Sequence, residues 1–392
     1  MTADQTEKEA ESVDFQLELA RKRFLYKATE VADVDRESLK TEILNDVTKN
    51  DLSHLYKFVC NEFGWEVDEA LYSRMTEAND KHLEELSAKI KDAEENLGES
   101  EVREAMLARA NFLAKIGDKD GAMEAFKATE EKTVAMGLRM DLVFSILRIQ
   151  VFHGEWHGVK ASIDKAKRLF EEGGDWERKN RLKVYESLYL MATRNFKQAA
   201  ELFLDSLATF TTYELFTYNT FIFYTVLTSM ISLDRVSLKK KVVDAPEVLT
   251  VIDQIPNLAE FLNSLYNCKY KELFQAFARI ADQVQADMYL NPHFNYYIRE
   301  IRVLAYTQFL ESYKSVTLQS MAESFGVSVG FLDGELSNYI VAGRLNAKID
   351  TVEGVVATNR PDAKNSLYQQ AIKQGDLLLN NIQKLSKVID ME

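Results

Sequence analysis

This sequence predicts a mainly α protein: a tetratricopeptide-like helical-repeat array, then a winged-helix module, then one long C-terminal helix. Three observations predict it. A large, small, large pattern recurs at fixed offsets from three turns, two capped helices and two alternating apolar runs fill Val316 to Arg360, and a near-heptad apolar stripe runs to the C-terminus.

The chain opens on a polar, acidic segment, assigned to residues 1–40, and the array is expected over 41–210. All four prolines lie at Pro246 or beyond, so nothing earlier forces a helix to stop for want of an amide donor. Thr76 to Asn96 is rich in Glu and Lys with apolar Leu83, Leu86, Ile90 and Leu97, which predicts an exposed, charge-laced helix. The turns Gly117-Asp118, Gly154-Glu155 and Arg194-Asn195 follow at spacings of 37 and 40 residues. Six positions before the second turn residue stand Phe112, Ile149 and Tyr189. Four after it stand Ala122, Val159 and Ala199, and eight after it Phe126, Ile163 and Phe203. A small residue between two large ones is how paired helices of the tetratricopeptide type approach closely and interlock, although the tryptophan and proline of the consensus are missing.

An aromatic-rich helical stretch, Tyr213 to Leu310, leads into the module, and the two together define a domain over 211–360, with its helical part at 211–315 and the winged helix at 316–360. The window Phe221 to Leu233 is too short for a membrane span of roughly 20 residues and reads as a buried helix. Thr317 caps a first helix carrying Leu318, Met321, Ala322 and Phe325; Gly326 turns the chain; Ser328 caps a second helix with Phe331, Leu332, Leu336, Tyr339 and Ile340. Leu345, Ala347 and Ile349 then alternate with Asn346, Lys348 and Asp350, and Gly354 to Thr358 returns as the hairpin partner that Pro361 stops. The last segment, 361–392, is expected to be one helix with Leu367, Ala371, Leu378, Ile382, Leu385 and Ile389 in a stripe interrupted at Gly375. At 1.5 Å per residue it would be roughly 40 Å long, too long to hide its stripe on a small module, so it is expected to pack against helices of other chains.

The bulk numbers narrow the function classes. With 46% hydrophobic and 28% charged residues the composition is that of a soluble globular protein, and a net charge of −14 disfavours nonspecific attraction to nucleic acid or anionic membranes. Cys60 and Cys268, far apart and without CxxC spacing, together with the polar start, point to a reducing compartment, cytoplasm or nucleus. His153 and His157 are four apart, but Gly154 holds the place of the glutamate of HExxH, and the pair falls in a predicted turn. Gly173-Gly174 is ringed by Glu171, Glu172 and Asp175 with no GK[ST] after it, which makes it a turn and not a phosphate cradle. No catalytic residue, cofactor, metal or small-molecule substrate is therefore expected. A winged helix raises DNA binding, yet Val316 to Arg360 sets Arg344, Lys348 and Arg360 against Glu323, Asp333, Glu335, Asp350 and Glu353. The basic clusters Arg178, Lys179, Arg181, Lys183 and Lys239 to Lys241 are read as solvated faces or as contacts with an acidic neighbouring subunit, so no nucleic-acid partner is expected.

Six stretches carry a resemblance: Asp92-Ala-Glu-Glu-Asn-Leu-Gly-Glu-Ser100, Glu171-Glu-Gly-Gly-Asp-Trp176, Asn180-Arg-Leu-Lys-Val-Tyr185, Phe196-Lys-Gln-Ala-Ala-Glu-Leu-Phe-Leu-Asp205, Thr358-Asn-Arg-Pro-Asp362 and Gly375-Asp-Leu-Leu-Leu379. With them the chain, from about Leu17 to Ile389, resembles the PCI-domain subunits of the proteasome lid. The acidic start and the His153 to His157 turn depart from the family, so no function is carried onto either. The resemblance implies a non-catalytic scaffold in a hetero-oligomer of lid PCI subunits and other regulatory-particle components, serving ubiquitin-dependent protein degradation. It further implies a sheet edge around Leu345, Ala347 and Ile349 that meets neighbouring winged modules, and a stripe of Leu367, Leu378, Ile382, Leu385 and Ile389 that enters a multi-subunit bundle. A scaffold of the signalosome complex shares this architecture and is the alternative, followed by a nucleic-acid adaptor of the same fold and an enzyme without a recognised motif.

Overall fold

The computed structural model describes residues 13–28, 35–173, 175–359 and 363–389. The chain divides into two compact units, Met1–Asn267 with Gln275–Ile298, and Cys268–Phe274 with Arg299–Glu392. The first twelve residues of the acidic start, Gly174 of the predicted turn, and Pro361 at the hairpin's end lie outside the described residues.

In the first unit, α1 (Phe15–Lys27), α2 (Arg36–Lys49), α3 (Ser53–Phe63) and α4 (Glu69–Asn96) precede the repeats. Helix α1 falls inside the segment read from sequence only as an acidic tail. It packs on its neighbours through the buried Leu17, Leu19 and Ala20, and Asp14 caps it by accepting from the Gln16 amide at 2.9 Å. Three helical pairs follow: α5 (Glu99–Ile116) with α6 (Lys119–Glu131), α7 (Met136–Phe152) with α8 (Trp156–Gly173), and α9 (Trp176–Ala192) with α10 (Phe196–Asp205).

The three predicted turns join the two members of each pair, and all close in one way. Gly117, Gly154 and Arg194 take left-handed φ of 89°, 69° and 68°, and the next amide reaches back five residues: Asp118 to Leu113, Glu155 to Gln150 and Asn195 to Leu190, at 3.1, 2.9 and 2.8 Å. At the first offset Ile149 is buried while Phe112 and Tyr189 are half-buried; the other two offsets are buried in all three pairs. Ala122, Val159 and Ala199 are buried at the crossing of each pair, and Phe126, Ile163 and Phe203 fill the layer one turn on.

Gly117 and Gly154 differ in what surrounds them. A Cβ at Gly117 would stand 2.4 Å from Leu55 Cγ and 3.0 Å from the Leu55 amide, whereas a Cβ at Gly154 would meet nothing within 4 Å. Gly154→Ala is expected to cost about 1 kcal/mol for its φ alone, and Gly117→Ala about 2–4 kcal/mol, because the backbone of α3 must also move. Urea midpoints of the two variants read the difference, and equal shifts would rule out the close approach.

The window read as a buried helix is α11 (Tyr218–Ser232), with Phe221, Ile222, Tyr224, Val226, Leu227 and Met230 buried. After the short α12 (Arg235–Leu238) and α13 (Pro246–Leu249) come α14 (Leu258–Tyr266), α15 (Tyr270–Gln285) and α16 (Phe294–Leu310).

In the second unit, β1 (Ser315–Thr317), α17 (Leu318–Phe325), α18 (Val329–Val341), β2 (Ala347–Asp350) and β3 (Val355–Thr358) form the winged module. Thr317 caps α17 by accepting from the Ser320 amide, Gly326 turns at φ 68°, and Ser328 caps α18 by accepting from the Phe331 amide. The sheet order is β1-β3-β2, all antiparallel, with Val316 opposite Val356 and Ile349 opposite Val356 from the other side. Phe325, 1% exposed, is the centre of the module's core, with the rings of Tyr270, Phe274, Tyr306 and Phe309 at centroid distances of 4.7, 5.4, 4.9 and 5.4 Å. Helix α19 (Ala363–Ile389) ends the described chain.

Candidate partner-binding surfaces

The sheet presents β2 as an edge, and the structure corrects the sequence reading of that edge. The alternation puts Leu345 in the strand, but β2 starts at Ala347, and Leu345 lies ahead of it as an anchor, 5% exposed, with its amide donating to the Tyr339 carbonyl. Ala347 is equally buried. Its side chain packs in the module's own core. Ile349 keeps part of its surface, while Lys348 and Asp350 point out. What β2 offers a neighbour is thus its backbone, flanked by two opposite charges that hinder pairing with an identical edge.

Helix α19 is the other surface. Every described side chain from Leu367 to Ser386 is exposed. Of the stripe, Leu367, Leu378, Ile382 and Leu385 are 57–69% exposed; Ile389 lies in the helix, but its side chain is outside the described residues. Sequence reading missed a second row. Tyr368, Ile372 and Leu379, also 57–65% exposed, follow the stripe around the helix. At 100° per residue the two rows together span an arc of about 140°, wider than the seam of a two-stranded coiled coil. An arc of that width accommodates more than one partner helix.

The α18 surface is unlike a groove reader. Val329 and Phe331 are exposed near its start, and Glu335 is engaged inward by Arg302 Nη1 at 2.6 Å and the Tyr306 hydroxyl at 2.7 Å. Burial, then that carboxylate, pushes the Tyr306 phenol far above its ordinary range. Arg344 is paired with Glu300.

The basic cluster on α9 is a second correction. Read from sequence as a solvated face or a contact with a neighbouring subunit, it is paired within the chain: Arg178 with Asp141 at 2.7 Å, Arg181 with Glu214 at 2.7 Å, and Lys183 with Asp205 at 3.6 Å, while Lys179 lies over the Phe170 ring. The Asp141 hydrogen bond holds the Arg178 guanidinium above its usual value, and burial with the Glu214 charge raises the Tyr185 phenol, which donates to Glu214 at 2.7 Å. His153 ends α7 and His157 belongs to α8, on the two sides of the Gly154 turn. His153 is held below its ordinary value by burial and then by Lys119. Among the described residues no group of three or more His, Cys, Asp or Glu is placed to hold a metal, and no helix is long and apolar enough to cross a membrane.

Comparison with known proteins matches three stretches of the chain. Residues 68–241 match the model of 26S proteasome subunit RPN7, residues 267–360 that of the PCI domain, and residues 368–389 that of the 26S proteasome regulatory subunit RPN7/PSMD6 C-terminal helix. The 26S proteasome non-ATPase regulatory subunit 6 homolog of Arabidopsis thaliana is 60% identical over 95% of this chain and 96% of its own length. The 26S proteasome regulatory subunit RPN7 of Saccharomyces cerevisiae is 35% identical over 95% of this chain and 92% of its own. COP9 signalosome complex subunit 1b of Drosophila melanogaster is similar at 23% over 75% of this chain and 57% of its own. Identity at this level across plant and yeast relatives, over the repeats, the winged module and the last helix alike, places the chain in the RPN7 family of 26S proteasome regulatory subunits.

Proposed function

We propose that this chain is a non-catalytic scaffold subunit of the 26S proteasome regulatory-particle lid, acting in the cytoplasm and nucleus to support assembly and ubiquitin-dependent protein degradation. The observation that carries the reading is α19, whose wide apolar arc is exposed from Leu367 to Leu385 in a chain of the RPN7 family. The work is done by surfaces. The α19 arc enters a bundle with helices of other lid PCI subunits, and the β2 backbone adds its edge to a neighbouring winged module. The working division is the repeat array at 41–210, the PCI domain at 211–360 and the bundle helix at 361–392.

Tagging the chain in its own cells, purifying it gently and identifying its stoichiometric companions by mass spectrometry tests this. Lid subunits together with proteasome ATPases are the expected companions. Signalosome subunits in their place would move the chain to that complex, and nucleic acid without either would overturn the scaffold reading.

A further inference from the structure

The helical pairs leave a second surface at their opposite end. Because consecutive helices run up and down, the intra-pair turns at Gly117, Gly154 and Arg194 lie at one end, and the corners between pairs lie at the other. Three such corners occur in succession: α4 to α5 at Leu97, α6 to α7 at 132–135, and α8 to α9 at Asp175. Each carries a large apolar side chain turned out to solvent: Leu97 at 56% exposure, Val134 at 82% with Leu138 at 37%, and Trp176 at 64%. The second and third corners adjoin, for the Arg178 guanidinium lies so close to Gly137 that a Cβ there would meet it at 3.1 Å. At roughly 9 Å per helix layer, three corners make a ridge about 20 Å long or more, the scale of a standard protein interface.

Exposed carboxylates outnumber exposed cations on the ridge, where Lys132 stands at the second corner and Lys179 lies over the Phe170 ring beside the third. Exposed carboxylates surround the apolar tips: Glu94, Glu95 and Glu99 at the first corner, Glu131 at the second, Glu171 and Glu177 at the third. Nearby arginines are drawn into the fold. Arg139 donates to the Thr133 carbonyl at 2.5 Å, and Arg178 is shared between Asp141 and Asp175. Scattered exposed apolar residues are ordinary, but four on successive corners within an acidic field are a patterned surface.

We infer that Leu97, Val134, Leu138 and Trp176 form a docking ridge for a protein whose surface carries apolar sockets inside a rim of Lys and Arg. Charge selects this occupant. A polyanionic nucleic acid or an anionic membrane is repelled, and so is a second copy of this chain, with its net charge of −14. The ridge stands apart from the lid assignment, since it uses neither α19 nor the sheet edge.

The test places a photo-crosslinking residue at Val134 or Trp176 of the tagged full chain in its own cells, with Lys160, exposed on α8 away from the corners, as control. The expected result is that both ridge positions crosslink to one protein, on peptides rich in Lys and Arg. The yield should fall several-fold when salt is raised from about 0.05 M to about 0.3 M before irradiation, as screening of a charged rim requires. A paired Val134→Ser, Trp176→Ser variant should keep its thermal midpoint, because both side chains are exposed, and lose that crosslink from Leu138. Crosslinks no stronger than at Lys160, crosslinks to nucleic acid, lipid or another copy of the chain, or a yield indifferent to salt would each overturn the ridge. Loss of lid companions from the α19-deleted chain bears on the lid reading alone, so the two fail separately.

Discussion

Deleting residues 361–392 is expected to leave a folded helical protein that no longer enters its complex. The described part of α19 buries none of its large side chains in the chain's own core, so the urea midpoint should move by no more than about 0.5 kcal/mol equivalent, the range of ordinary surface changes. Recovery of stoichiometric companions should fall at least tenfold, since truncating even a few well-packed apolar anchors costs more than about 2 kcal/mol of association. Finer substitutions separate two geometries. Leu378→Ser with Leu385→Ser removes the stripe, and Ile372→Ser with Leu379→Ser removes the second row. If α19 packs against a single partner helix, only the first pair weakens assembly. The 140° arc predicts that both do. Normal incorporation of the deleted chain, read by quantitative mass spectrometry of tagged complexes, would sink the bundle reading.

Phe325→Ala should produce the largest stability loss of any single change in the winged module. Phe325 is enclosed by Tyr270, Phe274, Tyr306 and Phe309, so truncation removes four aromatic contacts and leaves a cavity between helices that the sheet cannot close. The expected cost is about 3–5 kcal/mol, read as faster amide exchange over Leu318 to Val341. Phe325→Leu, which keeps most of the volume, should recover more than half of it. An Ala variant that exchanges within about 1 kcal/mol of the natural chain would show that Phe325 does not centre this core.

What the sequence disclosed follows from how local each signal is. The intra-pair turns were legible because a left-handed residue and its buried partners at fixed offsets lie within about twenty residues, and the winged helices because Thr317, Gly326 and Ser328 punctuate them. Strand β1 was missed. It is three residues long, and its partner Val355–Thr358 comes forty residues later, beyond any local alternation. Helix α1 was missed because Leu17, Leu19 and Ala20 are buried among Arg, Lys and Glu in a segment of low mean hydropathy. The destiny of Arg178, Arg181 and Lys183 was invisible for the same reason as β1: Asp141, Glu214 and Asp205 approach them only through the tertiary fold. On α19 the heptad template found Leu367, Leu378, Ile382 and Leu385, and concealed Tyr368, Ile372 and Leu379, because a template with two apolar positions in seven does not ask for a further row beside its stripe.

The exposure of α19 also bears on the chain before it has found its companions. A lone copy carries about 40 Å of helix with eight or so large apolar side chains in water, a surface of the kind that chaperones hold and that aggregation exploits. Entry into the proposed bundle would remove that surface. On that reading one helix would report its own state of assembly: copies made in excess would stay sticky and visible to quality control, and incorporated copies would become silent, so the side chains proposed to build the complex would also enforce its stoichiometry.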